Sequence, residues 1–350
     1  MATIGNDIDR LLAVLLESPN AWMELERRLR ARAPELAESL IHSLGGEELE
    51  GFLASLLILL ARGAFRDEPT AIRFFKSAEG MGFHLLPNHF YSPVPTVSEL
   101  PASIWKTRMD LEWIGAVDAQ LALVARCLRW AQELIATAKL PAAADGRYRF
   151  SETSFPPLDA VVYYGVLREF KPTRVLEIGS GASTQIAAQA ALSGDAMQVE
   201  CIDPFPNALV RRGLKGLTRL IDKRVQDVPF EKFDSLREND ILFIDSSHVS
   251  KIGSDVNYLV LRVLPRLSPG VLVHFHDIFL PYEYPRPWIQ DLRYFWNEQY
   301  LVQAFLAFND QFQVLISNSL LSTEHGERVF GMAPGMPKQG GASLWIQRVL

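Results

Sequence analysis

Two groups of residues in this 350-residue chain combine types and spacings that suit chemistry. The first is Val175-Leu176-Glu177-Ile178-Gly179-Ser180-Gly181-Ala182-Ser183-Thr184, an apolar run that enters a glycine turn and then helix-forming residues. Glycines let a backbone approach a ligand closely, and a helix that opens there offers free N–H groups and the positive end of its dipole. With an acid two residues upstream, such a turn suits a nucleotide-containing cofactor; the plain alternative is an ordinary strand-to-helix turn. Asp203 ends the next apolar run, where a carboxylate can accept both hydroxyls of a ribose or cap the helix after Pro204. Asp227 follows a further short run, where a group facing adenine would sit and where a turn acid is equally at home.

The second group is Phe243-Ile244-Asp245-Ser246-Ser247-His248 together with Gly270-Val271-Leu272-Val273-His274-Phe275-His276-Asp277. Each places acids and imidazoles just beyond an apolar run, and in open α/β sheets ligands sit at such strand ends. A neutral imidazole can take a hydroxyl proton near pH 7, which makes His248, with Asp245, a candidate catalytic pair. A divalent cation can do the same work by lowering the hydroxyl pKa. Asp245, His276 and Asp277 offer oxygen and nitrogen ligands for Mg2+ or Mn2+; the alternative is a polar network that braces the loops without metal. His274 shares a sheet face with His276 and reads as a satisfied core histidine.

The elements that must position these residues change character along the chain. Residues 1–80 show helical periodicity, with apolar residues recurring through 8–16, 21–33, 36–44 and 47–62. A region from 81 to 156 follows, with a Pro- and aromatic-rich stretch over 82–101 and one long helix over 116–138. The stretch reads as a packed connector or as a cover whose His89, Phe90 and Tyr91 touch a bound ligand. From 157 to 350 strands and helices alternate, which implies a parallel sheet covered on both faces. Strands are expected at 174–178, 198–202, 224–226, 241–244, 271–275, 312–316 and 343–348, with a long helix over 288–308. No helix-length periodic segment separates the last two strands, so the last should run antiparallel, between the fifth and the sixth.

Apolar residues make up 48% and charged residues 22%, enough for a sizeable core. A net charge of -6 gives no general pull toward nucleic acid or an anionic membrane. Two cysteines, Cys127 and Cys201, lie in apolar stretches without paired spacing and read as buried free thiols. The sequence shows neither a signal peptide nor an apolar run near the ~20 residues a membrane helix needs, so a soluble cytoplasmic protein is expected.

Taken together, Glu-x-Gly-x-Gly after strand one, the acids after strands two and three, and the motifs after strands four and five resemble the class I S-adenosylmethionine-dependent methyltransferases. They are similar to a bacterial subgroup of metal-assisted O-methyltransferases acting on sugars and antibiotics. The resemblance implies a Rossmann-like seven-stranded sheet and a methyl acceptor that is a sugar or small metabolite. It implies that Glu177 and the backbone around Gly179 and Gly181 hold the methionine part of the cofactor, that Asp203 binds its ribose, that Asp227 or its neighbour Gln226 lies near its adenine, and that Thr184 is also among the cofactor-binding residues. Ser247 departs from the subgroup, which often has a second Asp there. Self-association into a homo-oligomer stays open. Two rival readings share parts of the pattern. One is an NAD(P)-dependent oxidoreductase, although the dinucleotide fingerprint's third glycine falls at Thr184. The other is a scaffold protein that holds cofactor without turnover.

Overall fold

The computed structural model describes residues 46–350 except 65–66, 85, 142–145, 153 and 195. It divides into two units, Met1–Pro93 and Val94–Leu350. In the first, α1 (Gly46–Ala64) matches the expected helix over 47–62. A second helix, α2 (Glu68–Gly80), starts where the Asp67 carboxylate accepts from the Thr70 N–H at 2.8 Å. The helices expected over 8–16, 21–33 and 36–44 lie outside the described residues.

The second unit opens with short turns and then α3 (Val117–Leu128) and α4 (Ala131–Ala138). The single helix expected over 116–138 is therefore broken. The break falls at Trp130, whose ring lies 4.8 Å under the Arg168 guanidinium and whose indole N–H points to Glu169 at 3.3 Å. Tertiary contacts to α5 (Pro157–Phe170) override a continuous helical pattern there. Residues 157–167 of α5 are buried on every side, as expected of a helix packed between layers.

Seven strands follow: β1 (Arg174–Ile178), β2 (Gln198–Ile202), β3 (Arg219–Ile221), β4 (Ile241–Ile244), β5 (Leu272–Phe275), β6 (Phe312–Ser317) and β7 (Leu344–Arg348). Their order is β3-β2-β1-β4-β5-β7-β6, parallel from β3 to β5, with β7 antiparallel to both β5 and β6. The antiparallel last strand stands where the sequence places it. The third strand does not: 219–221 pairs with Glu200, Cys201 and Ile202, whereas 225–227 is a 3-10 turn closed by an Arg224–Asp227 ion pair. Two short helices, Asn318–Glu324 and Gly326–Gly331, also lie between β6 and β7, each too brief to show an amphipathic period.

Side chains alternate across the sheet and feed two cores. Val175, Val199, Ile241, Phe243, Leu272 and Trp345 pack with α3, α4, α5 and α6 (Ala182–Ala191). Leu176, Ile178, Leu242, Ile244, Val273 and Phe275 pack on the other face. That face is covered by α7 (Asp255–Tyr258), which runs on through a π turn at Leu259–Val263, and by α8 (Glu298–Ala307). The long helix expected over 288–308 is likewise two pieces, Arg286–Gln290 and α8, with 291–297 non-helical. Among the described residues no helix is long and apolar enough to cross a membrane, and both cysteines are buried and free.

Close packing of α3 on α5 depends on Gly165, where an added Cβ would stand 2.4 Å from the Cys127 carbonyl oxygen. Gly165→Ala should therefore cost about 1–3 kcal/mol by overpacking, read as a lower urea midpoint with unchanged slope.

Candidate active site

Beyond the strand ends, the hydrogen-bond ladder continues for one more residue. Gly179 N–H donates to Ile202 O, Asp245 N–H to Ile178 O, His276 N–H to Ile244 O, and Asp203 N–H to Ile221 O, all within 2.9–3.1 Å. Gly179, Asp203, Asp245 and His276 are thus lined up across the carboxyl edge of the sheet. The edge includes the switch point, where β1 lies between β2 and β4.

Gly179 has φ +89°, and an added Cβ would lie 2.1 Å from the Asp245 carbonyl oxygen. Its lack of a side chain is needed by the protein itself, before any ligand. Gly181 differs: among the described residues nothing stands within 4 Å of an added Cβ, which leaves open space at the start of α6. Thr184 is fully buried and its hydroxyl accepts from the Gly181 N–H at 2.9 Å, so it ties the turn from inside.

Glu177 also lies beneath the turn rather than on its open surface. It is fully buried, and its carboxylate accepts from the Ser183 hydroxyl and faces the Cys201 thiol at 3.3 Å. Burial pushes its pKa up to about 7 against the opposing hydrogen bonds from Ser183, Cys201 and Thr184. Asp203 accepts from the Ser180 hydroxyl at 2.6 Å and the Phe205 N–H at 2.7 Å, at the mouth of the turn. Asp227 is half exposed and bound to Arg224, while neighbouring Gln226 donates to the Gly253 carbonyl at 2.9 Å.

The acids and imidazoles after β4 and β5 converge. Asp245, His248 and Asp277 each offer a ligand atom, all within 4.8 Å of one another. His248 Nε2 lies 3.2 Å from Asp245 Oδ1 and 3.7 Å from Asp277 Oδ2. His248 and Asp277 both have positive φ, 57° and 58°, a strained backbone that persists where surroundings impose it, often at functional sites. His276 stands behind this group, fully enclosed, with Nδ1 3.6 Å from Asp245 and 3.4 Å from Asp277, and Nε2 3.5 Å from Asp159. His274, as expected, is a core residue: it is stacked 3.8 Å from Phe243, bonded to the Ser343 hydroxyl at 2.8 Å, and kept neutral by burial.

Two carboxylates of this cluster escape the sequence reading. Glu298, at the start of α8, is 1% exposed and its Oε2 lies 2.9 Å from His248 Nδ1. Asp159, inside α5, accepts from Asn318 at 2.7 Å and from the N–H groups of Ala342 and Ser343 at 2.9 and 3.1 Å. A lone acid in the wholly apolar run of α5 was a usable signal, because a buried charge demands partners. Glu298 carries no such signal, since an acid in a first helical turn ordinarily just complements the dipole.

The electrostatics follow from this crowding. Burial alone would lower the His248 pKa, but the Asp245 and Glu298 carboxylates outweigh it and raise it to about 10. Asp245 would be raised by burial, yet the charges and hydrogen bonds of His276 and His248 hold it well below the usual carboxylate range. Four carboxylates surround two imidazoles, an excess of negative charge in an enclosed place.

A family model described as a methyltransferase domain matches residues 176–278, which span the glycine turn and both acidic strand ends. A protein of Archaeoglobus fulgidus described as uncharacterized is 31% identical over 164 residues, covering 44% of this chain and 74% of that protein. At that identity and coverage the two belong to one family. Among solved structures, a putative O-methyltransferase from Klebsiella pneumoniae is 14% identical and covers 65% of this chain and 90% of its own, with a TM-score of 0.32. The O-methyltransferase TomG from Streptomyces achromogenes, in complex with SAM, is 15% identical over 66% of this chain and 90% of its own, with a TM-score of 0.34.

Two expectations test the turn. Gly179→Ala should lower stability on the order of 2–4 kcal/mol from strain and overlap, seen in chemical denaturation. Gly181→Ala should fold normally and lose affinity for a ligand seated on the turn, seen by calorimetric titration. The Glu177 pKa lies above its ordinary value, so the folded state holds the extra proton. Its contribution to stability is complete below pH ~4.5 and is lost as pH rises through about 7. Glu177→Gln, which mimics the protonated acid, should melt at a temperature that falls less than wild type across that window.

Proposed function

We infer that this chain, which belongs to the class I S-adenosylmethionine-dependent methyltransferases, methylates a hydroxyl oxygen of a small acceptor such as a sugar or another metabolite. The observation that carries this reading is the Asp245–His248–Asp277 cluster, set against the glycine turn across the Gly179–Asp245 backbone contact. The domain that does the work runs from about residue 157, with α3 and α4 packed onto its first helix, to the last strand.

The turn from Gly179 to Ser183 would seat the methionine part of the cofactor against the start of α6, with Glu177 and Thr184 fixing the turn from below. Asp203 would exchange its Ser180 bond for the ribose hydroxyls, and Asp227 with Gln226 would border adenine. When bound there, the cofactor would supply its sulfonium methyl group to the acceptor hydroxyl, whose proton would pass to solvent, with S-adenosylhomocysteine as the leaving group.

Asp245, His248 and Asp277 would hold a divalent cation, Mg2+ or Mn2+, which when bound supplies Lewis-acid stabilisation of the acceptor oxyanion. Two features of the chain support this. The cluster's excess of carboxylates suits a cation. His248, held protonated by its neighbours, is a poor proton acceptor near neutrality unless that proton is displaced. His276 would keep the Asp245 and Asp277 carboxylates in place from behind, with Asp159 bracing its far nitrogen.

Thermal shift should show stabilisation by S-adenosylhomocysteine and none by NAD; the opposite ranking defeats the methyltransferase reading. Methyl transfer from labelled S-adenosylmethionine to a panel of sugars and hydroxylated metabolites should stop with a chelator and return with Mg2+ or Mn2+. Asp277→Ala should bind S-adenosylhomocysteine as wild type does yet lose transfer. Turnover that ignores the chelator would remove the cation from this account.

A further inference from the structure

The segment that interrupts the helical pattern between Gln290 and Glu298 ends by gripping one residue, His248. The N–H groups of Asn297 and Glu298 both donate to the His248 carbonyl oxygen at 3.1 Å. The Asn297 side chain spans Ser250, accepting from its N–H at 2.5 Å and donating to its carbonyl at 3.3 Å. The Trp296 ring lies 4.3 Å from the imidazole. The strained φ of His248 is thus held by backbone bonds from fifty residues away.

Glu298 adds the contact that decides what the ring can do. Its Oε2 lies 2.9 Å from Nδ1, while Nε2 faces Asp245 and Asp277. Its other oxygen, Oε1, is buried with no hydrogen-bond partner among the described residues. A carboxylate 1% exposed with one bare oxygen is a poor device for stability alone, since burying a charge is costly unless it is paired and fully bonded.

We propose that Glu298 is a positioning residue for the acceptor site: it holds a proton on His248 Nδ1, so that the proton a bound cation displaces is the one on Nε2, which faces the Asp245 and Asp277 carboxylates. The assignment rests on the reading of His248 as a cation ligand. Outer carboxylates that accept the far N–H of a ligating histidine fix its tautomer and raise its basicity, and their loss typically weakens metal binding ~10–100-fold. Gln299, the next residue, points its side chain elsewhere, to Glu283 and the Tyr282 carbonyl, so no neighbouring amide substitutes for Glu298.

The test is Mn2+ binding by the full chain saturated with S-adenosylhomocysteine, measured from the free Mn2+ electron paramagnetic resonance signal. Glu298→Leu, which keeps bulk but removes the acceptor, should weaken Mn2+ by ~10–100-fold. Glu298→Gln, which keeps an acceptor oxygen without charge, should fall between that and wild type. Affinity for S-adenosylhomocysteine should stay unchanged in both, which a general structural defect would not allow. In 15N-histidine spectra of the Mg2+-loaded protein, the protected Nδ1 proton of His248 should persist in Glu298→Gln and vanish in Glu298→Leu. Should Glu298→Leu fail to fold, wild-type Mn2+ affinity in Glu298→Gln overturns the assignment. Wild-type affinity in both Glu298 variants, beside loss of binding in His248→Ala, overturns this assignment alone. Wild-type affinity in His248→Ala overturns the cation-ligand reading and this assignment with it.

Discussion

The backbone of Gly179 lies against the carbonyl of Asp245, too close for any side chain between them. This contact joins the two halves of the site. Gly179 begins the glycine turn, and Asp245 begins the acidic cluster. Both are reached through parallel pairing of β1 with β4, whose ladder extends one bond past the strands by way of Asp245 N–H to Ile178 O. With β1 and β4 buried on both faces and paired in one register, the separation between the glycine turn and the acidic cluster is fixed by backbone geometry. Flexible side chains play no part in setting it.

Around that contact the protein encloses an unusual amount of charge. Glu177 lies beneath the α6 turn, Asp159 against the residues just before β7, and Glu298 against the His248 imidazole. Each is balanced differently. Glu177 is eased toward its neutral form by burial, Asp159 is satisfied by three donors and an imidazole, and Glu298 depends on His248. Enclosed carboxylates of this kind give up stability, and the fold keeps them only where apolar packing on both faces of the sheet can offset the cost.

The departures from helical periodicity belong to the same design. The break at Trp130 sets two helices, in place of one, against α5. The break over 291–297 lets the chain drop onto the loop after β4 before α8 begins. In both, apolar spacing continues through the break, so the pattern alone reads as one helix. The aromatic ring contacts and hydrogen bonds that stop the helix come from elements elsewhere in the chain.

What the sequence by itself determined is what depends on neighbours along the chain. Strand and helix alternation from 174 onward, the antiparallel last strand, the glycine turn, and acids and imidazoles at the ends of β4 and β5 were all legible, because short continuous apolar runs, helical spacing and turn chemistry are local. The third strand was placed too late because a three-residue edge strand shows almost no periodicity. Only the tertiary structure decided which of those acids and imidazoles face one another. It brought His248 into the group with Asp245 and Asp277, set His276 behind them, turned Glu177 and Thr184 inward, and supplied Glu298 and Asp159 from helices far away in sequence. The physical reason is that a buried charge is satisfied by whichever groups the fold brings within about 3 Å, and a sheet brings together residues that no spacing in the sequence connects.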